Sequence, residues 1–239
     1  MAAVEVDGDV YFRPMADIGT LHYRGEMSAD PIQTIDAAFG WRGFPDAMFY
    51  QTPFGLRFEL GGDLSMGPLR FMQAVDRARA VATALFSRSE TLVAFVSIYG
   101  EERTTRRHST AIQQLERIGF PHPFGSAAKV PQKDQQYIAE FGGDQFRHWY
   151  AAKFTNDAAA VSALLWASVA REMDIRPKAQ CLDTIHIADI QKRLALTVYD
   201  DRGMDVVGPN GHTLSSLYRK FNPWLLDYDR AEMDAKFRA

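Results

Sequence analysis

The densest group of charged residues lies near the end of the chain, in the run Tyr199-Asp-Asp-Arg-Gly-Met-Asp205. Acidic side chains held at the tip of a hairpin can bind a cation or the basic surface of another protein. Turns also select aspartate for hydrogen bonds to the local backbone, which is the structural alternative and the commoner case. The candidate partner-binding residues are Asp200, Asp201, Arg202 and Asp205.

A second charged pair, Arg57 and Glu59, lies two residues apart in an alternating segment. Residues two apart in a strand share one face of the sheet. If that face is covered, both charges need partners, because an unpaired buried charge is costly. The pattern predicts a buried ion network, and its functional alternative is an active site built from this pair and the hairpin at residues 200–205.

Two other residues have predicted structural roles. Gly203 follows Asp201-Arg202 and fits the left-handed position of a tight hairpin loop. Trp224 follows Asn222-Pro223, a pair typical of a capped helix start. Trp224, Leu225 and Tyr228 are expected to anchor the tail on the body of the protein. The alternative is an aromatic hot spot for a partner, formed by Trp224, Leu225 and Tyr228.

No set of residues predicts catalysis, a cofactor or a metal site. Asp183, His186 and Asp189 are spaced by three, but in a strand His186 points away from both acids, and we expect it at the sheet surface. The chain lacks the common phosphate-binding, dinucleotide-binding, nucleophile-elbow and His-Glu-x-x-His motifs. Its single cysteine, Cys181, excludes every cysteine-rich zinc pattern.

The elements that would position these residues follow from the spacing of apolar side chains. Residues 55–62 alternate and predict a half-buried strand. Residues 70–87 carry an apolar stripe at helical spacing. Residues 91–99 are almost entirely apolar, which predicts a strand covered on both faces and central in its sheet. Residues 112–118 outline a second helix, which ends at Gly119.

The second half of the chain predicts more strands than helices. Residues 120–144 are rich in glycine, proline and polar side chains, which predicts a long loop or linker. The pattern then predicts a strand over 146–154. An alanine-rich, buried helix with Asn156 as its N-cap is expected to follow that strand. Residues 181–239 predict a β-meander plus a helical tail.

Together these elements predict an α+β fold, in which a mixed, largely antiparallel sheet packs with helices in one domain over residues 1–239. Residues 1–54 are the least determined part. No apolar run reaches the length of about 18 residues that a membrane span needs. One cysteine fits a reducing, cytoplasmic location.

The net charge of -3 is distributed unevenly along the chain. Residues 67–133 hold ten basic and five acidic residues, a balance that a nucleic-acid site would share. The arginines there fit the solvated side of one helix, and aromatic residues do not alternate with them as a base-stacking surface requires. The pattern argues against a nucleic-acid partner. The arginines concerned are Arg70, Arg77, Arg79 and Arg88.

The amino-acid sequence of the tail resembles that of a bacterial family known as domain of unknown function 3885. The resemblance rests on Tyr199-Asp-Asp-Arg-Gly-Met-Asp205, Leu217-Tyr and Trp224-Leu-Leu-Asp-Tyr-Asp-Arg230. The upstream segment Gly55-Leu-Arg-Phe-Glu-Leu-Gly61 is similar to the same proteins. The resemblance implies a bacterial, cytoplasmic α+β protein, and it carries no activity, substrate or catalytic residue.

The missing catalytic motifs favour a non-enzymatic bacterial binding protein. Residues 1–66, with ten acidic and four basic residues, suit a partner that carries a basic site. The most concrete version is an immunity or antitoxin-type protein that neutralises a toxin partner. The alternative is an enzyme with an unrecognised polar site around Arg57, Glu59 and the hairpin. The sequence leaves the oligomeric state open.

Overall fold

The structure, a computed structural model, describes residues 5–6, 9–10, 30–125, 127–131, 138–139 and 146–238. Two short strands, β1 (Glu5–Val6) and β2 (Asp9–Val10), pair with each other. The strands of the main sheet are β3 (Gly55–Glu59), β4 (Thr91–Gly100), β5 (Ala127–Pro131), β6 (Phe146–Thr155), β7 (Thr184–Asp189), β8 (Leu194–Val198) and β9 (Gly203–Val207). The helices are α1 (Pro31–Phe39), α2 (Pro68–Leu85), α3 (Arg106–Ile118), α4 (Ala158–Val169), α5 (Gly211–Lys220) and α6 (Arg230–Phe237).

The main sheet has seven strands in the order β3-β9-β8-β7-β4-β6-β5, and every neighbouring pair is antiparallel. Helices and strands do not alternate regularly along the chain, so the predicted α+β fold is confirmed. Strands β7, β8 and β9 follow one another both in sequence and in the sheet. They form an antiparallel meander where the sequence predicts one.

Strand β4 is an interior strand of the sheet, between β7 and β6. Its seven residues Leu92–Ile98 are all buried, as the unbroken apolar run predicts. Alternate side chains of β4 enter two different cores. Leu92 and Val96 pack under the helices, and Val93 and Phe95 pack on the opposite face.

The larger core lies between the sheet and helices α2 to α6. Helix α2 has close to the predicted limits and turns Phe71, Ala78 and Ala82 inward. Helix α3 ends at Gly119, whose φ of 113° supplies the left-handed residue that commonly ends a helix.

Helix α4 is capped one residue later than predicted. The Asp157 carboxylate accepts hydrogen bonds from the amides of Ala159 and Ala160, at 3.3 and 3.0 Å. The Asn156 side chain donates instead to two backbone carbonyls, of Phe86 and Ser89, both at 2.9 Å. Asn156 therefore ties the start of α4 to the turn before β4.

The smaller core lies on the other face of the sheet, beneath α1 and residues 40–51. Phe44 reaches the centre of this core and contacts Phe95 and Trp149, with ring centroids 5.3 and 6.3 Å apart. Met48 and Ile35 are fully buried beside it. Residues 40–51 therefore form the cover of this face.

A strand at residues 127–131 corrects part of the prediction of a long loop or linker over 120–144, of which residues 126, 132–137 and 140–145 lie outside the described residues. Residues 127–131 form β5 at one edge of the sheet and pair with β6. Phe120 and Phe124, earlier in the same segment, are buried in the larger core. Only alternate residues of β5 are even half-buried, so its apolar signal is too weak to separate it from a loop.

The tail begins with a 3₁₀ turn, Asn222–Trp224, rather than with the predicted helix. The Asn222 side chain accepts a hydrogen bond from Arg230 at 3.3 Å and caps nothing. Trp224 is partly buried and stacks on Phe221, with ring centroids 5.0 Å apart. Trp224 and Leu225 therefore contact the body of the protein, but Tyr228, the third residue of the predicted anchor, is 87% exposed, and that part of the prediction is wrong.

The backbone of the tail runs along the outer edge of β3. The Leu226 amide donates to the carbonyl of Arg57 at 2.9 Å, and Leu225 forms an isolated bridge with Phe58. Among the described residues, no helix combines the length and apolar character that crossing a membrane requires.

Candidate functional site

The hairpin between β8 and β9 is built around the Asp200 carboxylate. This carboxylate accepts a hydrogen bond from the Arg202 amide at 2.8 Å and from the Arg202 guanidinium at 2.9 and 3.1 Å. Aspartate commonly closes turns in this way. The structural alternative considered for this acidic run therefore accounts for Asp200.

The other acids of the hairpin are also turned inward. Asp201 pairs with Arg70 of α2, and Asp205 pairs with Arg57 of β3. At most 3% of Asp200, Asp201 or Asp205 is exposed, whereas the Arg202 side chain is 73% exposed. The expectation that this hairpin presents carboxylates to a basic partner is wrong, because each carboxylate neutralises an arginine of the protein.

Gly203 does not occupy a left-handed position, so that prediction is also wrong: its φ is not among the positive values of the described glycines. It is the first residue of β9 and lies opposite Glu59 of β3. A Cβ atom at this position would lie 2.8 Å from the carbonyl oxygen of Phe58 and 3.1 Å from the ring of Tyr199. The site requires glycine because two segments approach closely there.

The centre of the charged network is Arg57. Its guanidinium lies 2.8 Å from the Asp205 carboxylate and 3.1 Å from the Asp229 carboxylate. A third hydrogen bond, at 2.9 Å, goes to the hydroxyl oxygen of Tyr50. The rings of Phe49, Tyr50 and Tyr199 surround the same guanidinium, at 4.5 to 5.6 Å from its central carbon.

The network joins four parts of the chain that are distant in sequence. Asp205 accepts a hydrogen bond from the Phe49 amide at 3.0 Å and another from the Tyr199 hydroxyl. The Tyr50 hydroxyl donates to Asp229 at 2.9 Å. The cover segment, β3, β9 and the tail are therefore held together at Arg57.

Burial and charge act against each other in this network. Burial alone would lower the pKa of Arg57 and is the largest single effect. The hydrogen bond that Arg57 donates to the Asp205 carboxylate and the electrostatic effects of Tyr199, Asp205 and Tyr50 together outweigh it and raise that pKa. Burial raises the pKa of Tyr199, and the neighbouring Asp205 carboxylate raises it further. Arg57 is thus firmly cationic and Tyr199 firmly neutral, which suits a structural network better than proton transfer.

Glu59, the second member of the predicted pair, lies outside this network. Among the described residues, no ion pair includes its carboxylate. Its carbonyl oxygen accepts a hydrogen bond from Arg77 at 3.2 Å. The buried ion network that the alternation predicts is present, with Asp205 and Asp229 in the place of Glu59.

Arg57 also begins a polar row that crosses four neighbouring strands. Arg57 lies opposite Asp205, Asp205 opposite Thr197, and Thr197 opposite His186. All four side chains belong to the face under the cover segment, because paired residues of adjacent strands share a face. The next residue in the row is Phe95 of β4, where the smaller core begins.

His186 is fully buried, which corrects the expectation that it lies at the sheet surface. Its ring stacks on Phe44 at 4.5 Å between centroids, with Trp149 at 5.7 Å. Burial lowers the pKa of His186 well below its usual value; Arg147 acts in the same direction, and the Pro45 carbonyl opposes them. The part of the chain that the structure describes contains no group of three His, Cys, Asp or Glu residues placed to hold a metal ion.

Acidification should destabilise the protein through His186. An unfolded chain takes up a proton there below about pH 6.5, while the folded chain does not, because its pKa is depressed. The stability that comes from the neutral ring is complete above about pH 6.5. It is lost as the pH falls towards the folded pKa, by about 1.4 kcal/mol for each pH unit.

Urea unfolding between about pH 7 and 5 measures this effect. His186→Phe keeps a ring beside Phe44 and Trp149 but removes the titration, so its stability should fall much less over that range. His212→Gln, at an exposed position, is the control and should behave like the natural chain. An unchanged pH dependence in His186→Phe would contradict the prediction.

Two tyrosines beside members of the Arg57 network are exposed to solvent. Tyr50 is 49% exposed and Tyr228 is 87% exposed. Tyr228 immediately precedes Asp229, the carboxylate that holds the Tyr50 hydroxyl. On its other side is Asp227, whose side chain is 93% exposed and pairs with Arg230 at 3.0 Å. We call Tyr50, Asp227 and Tyr228 the tyrosine surface.

The fold and this site together define an α+β protein in which a buried ion network supports an exposed aromatic surface. The sequence matches the family described as Domain of unknown function (DUF3885) over residues 32–229. The match covers most of the chain, so the chain belongs to this family, as the amino-acid sequence of its tail indicates. Neither a curated protein nor a solved structure matches the chain.

Proposed function

We propose that this protein is a non-enzymatic binding protein that recognises a basic segment of another protein through the tyrosine surface. The observation that carries the proposal is the exposure of Tyr50, which contacts Arg57, and of Tyr228, which precedes the Arg57 partner Asp229 in the chain. Tyrosine is enriched at binding hot spots because it offers a large amphipathic surface at a low cost in conformational entropy.

The support beneath these tyrosines favours binding. The Tyr50 hydroxyl is fixed by Arg57 and Asp229, both at 2.9 Å, and one face of its ring covers the Arg57 guanidinium. Asp229 is itself the last residue of the 3₁₀ turn that carries Tyr228. Because the Tyr50 side chain is already held in place, it loses little entropy when a partner binds.

The charge of the surface favours a basic partner. Asp227 adds an exposed carboxylate beside the two rings. Aromatic faces and carboxylates together attract guanidinium and ammonium groups. Arg57 is held within the protein by the same combination of rings and carboxylates.

An enzyme centred on Arg57 has less support. The guanidinium is already shared between Asp205 and Asp229. None of the three side chains is more than 11% exposed, so a substrate has little access to them. A small cavity of about 10 Å³ is lined by Ser168, Arg171, Asp183 and Thr184 among others, and Arg57 is not part of its lining. It has room for about one water molecule, which is too little for a substrate.

Loss of Tyr228 should weaken partner binding strongly. The protein is immobilised, bound proteins are recovered from a lysate of the source organism, and the purified partner is titrated by interferometry at two ionic strengths. Tyr228→Ala should raise the dissociation constant about 30-fold, which corresponds to a hot-spot loss of about 2 kcal/mol. Asp227→Asn should slow association and reduce its dependence on salt.

Arg202→Ala is the matched control, because it changes an exposed charge on the hairpin instead. If only Arg202→Ala weakens binding, the hairpin is the interface and the tyrosine surface is not. Turnover of a small molecule that Arg57→Ala abolishes would favour the enzyme. The identity of the partner tests the finer proposal that this is a bacterial, cytoplasmic immunity or antitoxin-type protein with a toxin as partner.

A further inference from the structure

A patch of large apolar side chains lies exposed at the start of α2, separate in sequence from the tyrosine surface. Met66 and Leu69 are 72% and 73% exposed, Met72 is 60% exposed and Leu64 is 38% exposed. Leu69 and Met72 are three residues apart on α2, so they are neighbours on one face of the helix. We call Leu64, Met66, Leu69 and Met72 the α2 patch.

The α2 patch carries almost no charge. Arg70 is the one charged residue between Leu64 and Met72, and its guanidinium turns inward to Asp201 and to the carbonyl oxygens of Gly62 and Leu64, at 2.6 and 2.9 Å. The outward surface is therefore left to leucine and methionine. Two copies of such a surface can approach each other without the repulsion that two like-charged surfaces would meet.

The size of the α2 patch fits the centre of a dimer interface. Relative exposures of 38 to 73% at its four leucine and methionine residues make a largely apolar patch of roughly a few hundred Å², the size at which a patch on a monomer is often functional. A standard interface buries about 800 Å² on each partner, and about two thirds of its core is apolar. The α2 patch therefore supplies the apolar centre of such an interface, and the polar residues around it supply the remainder.

We propose that the α2 patch binds a second copy of this chain, in a symmetric dimer. In a two-fold interface the same residues meet from both sides, and Leu69 of one copy packs against Met72 of the other. The two unbranched methionine side chains adapt to the facing surface. Further along the same helix, Asp76 and Arg79 form an exposed ion pair and mark a polar rim.

Sedimentation equilibrium of the natural chain and of Leu69→Lys/Met72→Lys tests this proposal. The natural chain should be a dimer at micromolar concentration. The double variant should raise the dimer dissociation constant at least 100-fold, because each interface then buries four like charges. Tyr228→Ala, which changes the tyrosine surface, should remain a dimer, so failure of the proposed function and failure of the dimer are distinguishable.

A second measurement keeps the test decisive if the lysine variant folds poorly. Leu69→Cys in a Cys181→Ser background should form a cross-linked dimer with a short bis-maleimide, and Arg79→Cys in the same background should cross-link far less. A monomeric natural chain at about 100 μM, or a lysine variant that still dimerises, overturns the proposal. A monomer whose α2 patch is covered by a different protein in the lysate overturns it as well.

Discussion

Replacing Asp205 by alanine should lower the free energy of unfolding by about 3–5 kcal/mol, the range measured when one partner of a buried ion pair is removed. Asp205 is fully buried and receives hydrogen bonds from Arg57, the Phe49 amide and the Tyr199 hydroxyl. Its loss leaves the buried guanidinium with one carboxylate and two donors without an acceptor. Urea unfolding followed by circular dichroism measures the change.

Two further variants separate the cost of an unpaired charge from that of a lost contact. Asp227→Ala removes an exposed carboxylate and should change stability by at most about 1 kcal/mol. Arg57→Met/Asp205→Leu replaces the pair by apolar side chains, and it should be more stable than Asp205→Ala alone. A loss below about 1 kcal/mol for Asp205→Ala would show that the network contributes little.

Gly203→Ala should destabilise the protein by about 1–3 kcal/mol, the usual cost of overfilling a packed site. The added Cβ would lie 2.8 Å from the Phe58 carbonyl oxygen, so strands β3 and β9 must move apart at their first contact. Backbone is less able to adjust than the end of a flexible side chain. Thermal and urea unfolding should both record the loss.

Gly211→Ala is the matched control for this substitution. Gly211 is the first residue of α5, and its added Cβ would meet the Phe54 ring at an ordinary distance of 3.5 Å. Alanine there should be neutral or should stabilise the protein by up to about 1 kcal/mol. If the two alanine variants unfold alike, steric crowding at Gly203 is not the reason for glycine.

The sequence predicts the local elements well, because their signals lie within a few residues of each other. The alternation at residues 55–62 predicts β3, and the apolar run at 91–99 predicts an interior strand. Both patterns report burial directly. The strand at 127–131 is missed because it is short, lies at the edge and buries little.

The partners of Arg57 could not be predicted from local patterns. Asp205 reaches Arg57 through the pairing of β3 with β9, and Asp229 reaches it because the tail returns along β3. Strand register and chain return are properties of the whole fold. For the same reason Asp201 and Asp205 are predicted as surface charges, although each pairs with a distant arginine in the folded protein. Asp200 differs, because its partner Arg202 lies within the same hairpin.

The burial of His186 could not be predicted from local patterns either. A histidine in an alternating strand is predicted to be solvated unless the element that covers it can be identified. Its cover is Phe44, in a segment with little regular structure 142 positions earlier in the chain. A signal could have come from the aromatic run Trp41 to Phe49, which is unusually rich for a surface loop.

The pairing of the tail with β3 has a consequence for how copies of this protein meet in a crowded solution. A bare edge strand presents unpaired amides and carbonyls that template strand addition by another chain. Leu225 and Leu226 occupy that edge on β3, while β5, at the other end of the sheet, carries Lys129 and ends at Pro131. Lysine and proline are both typical of protected edges. The residues after Phe221 thus cover the edge of β3 at which amyloid-like strand addition would begin. A chain cut before Leu225 would keep every strand of its sheet but would expose that edge.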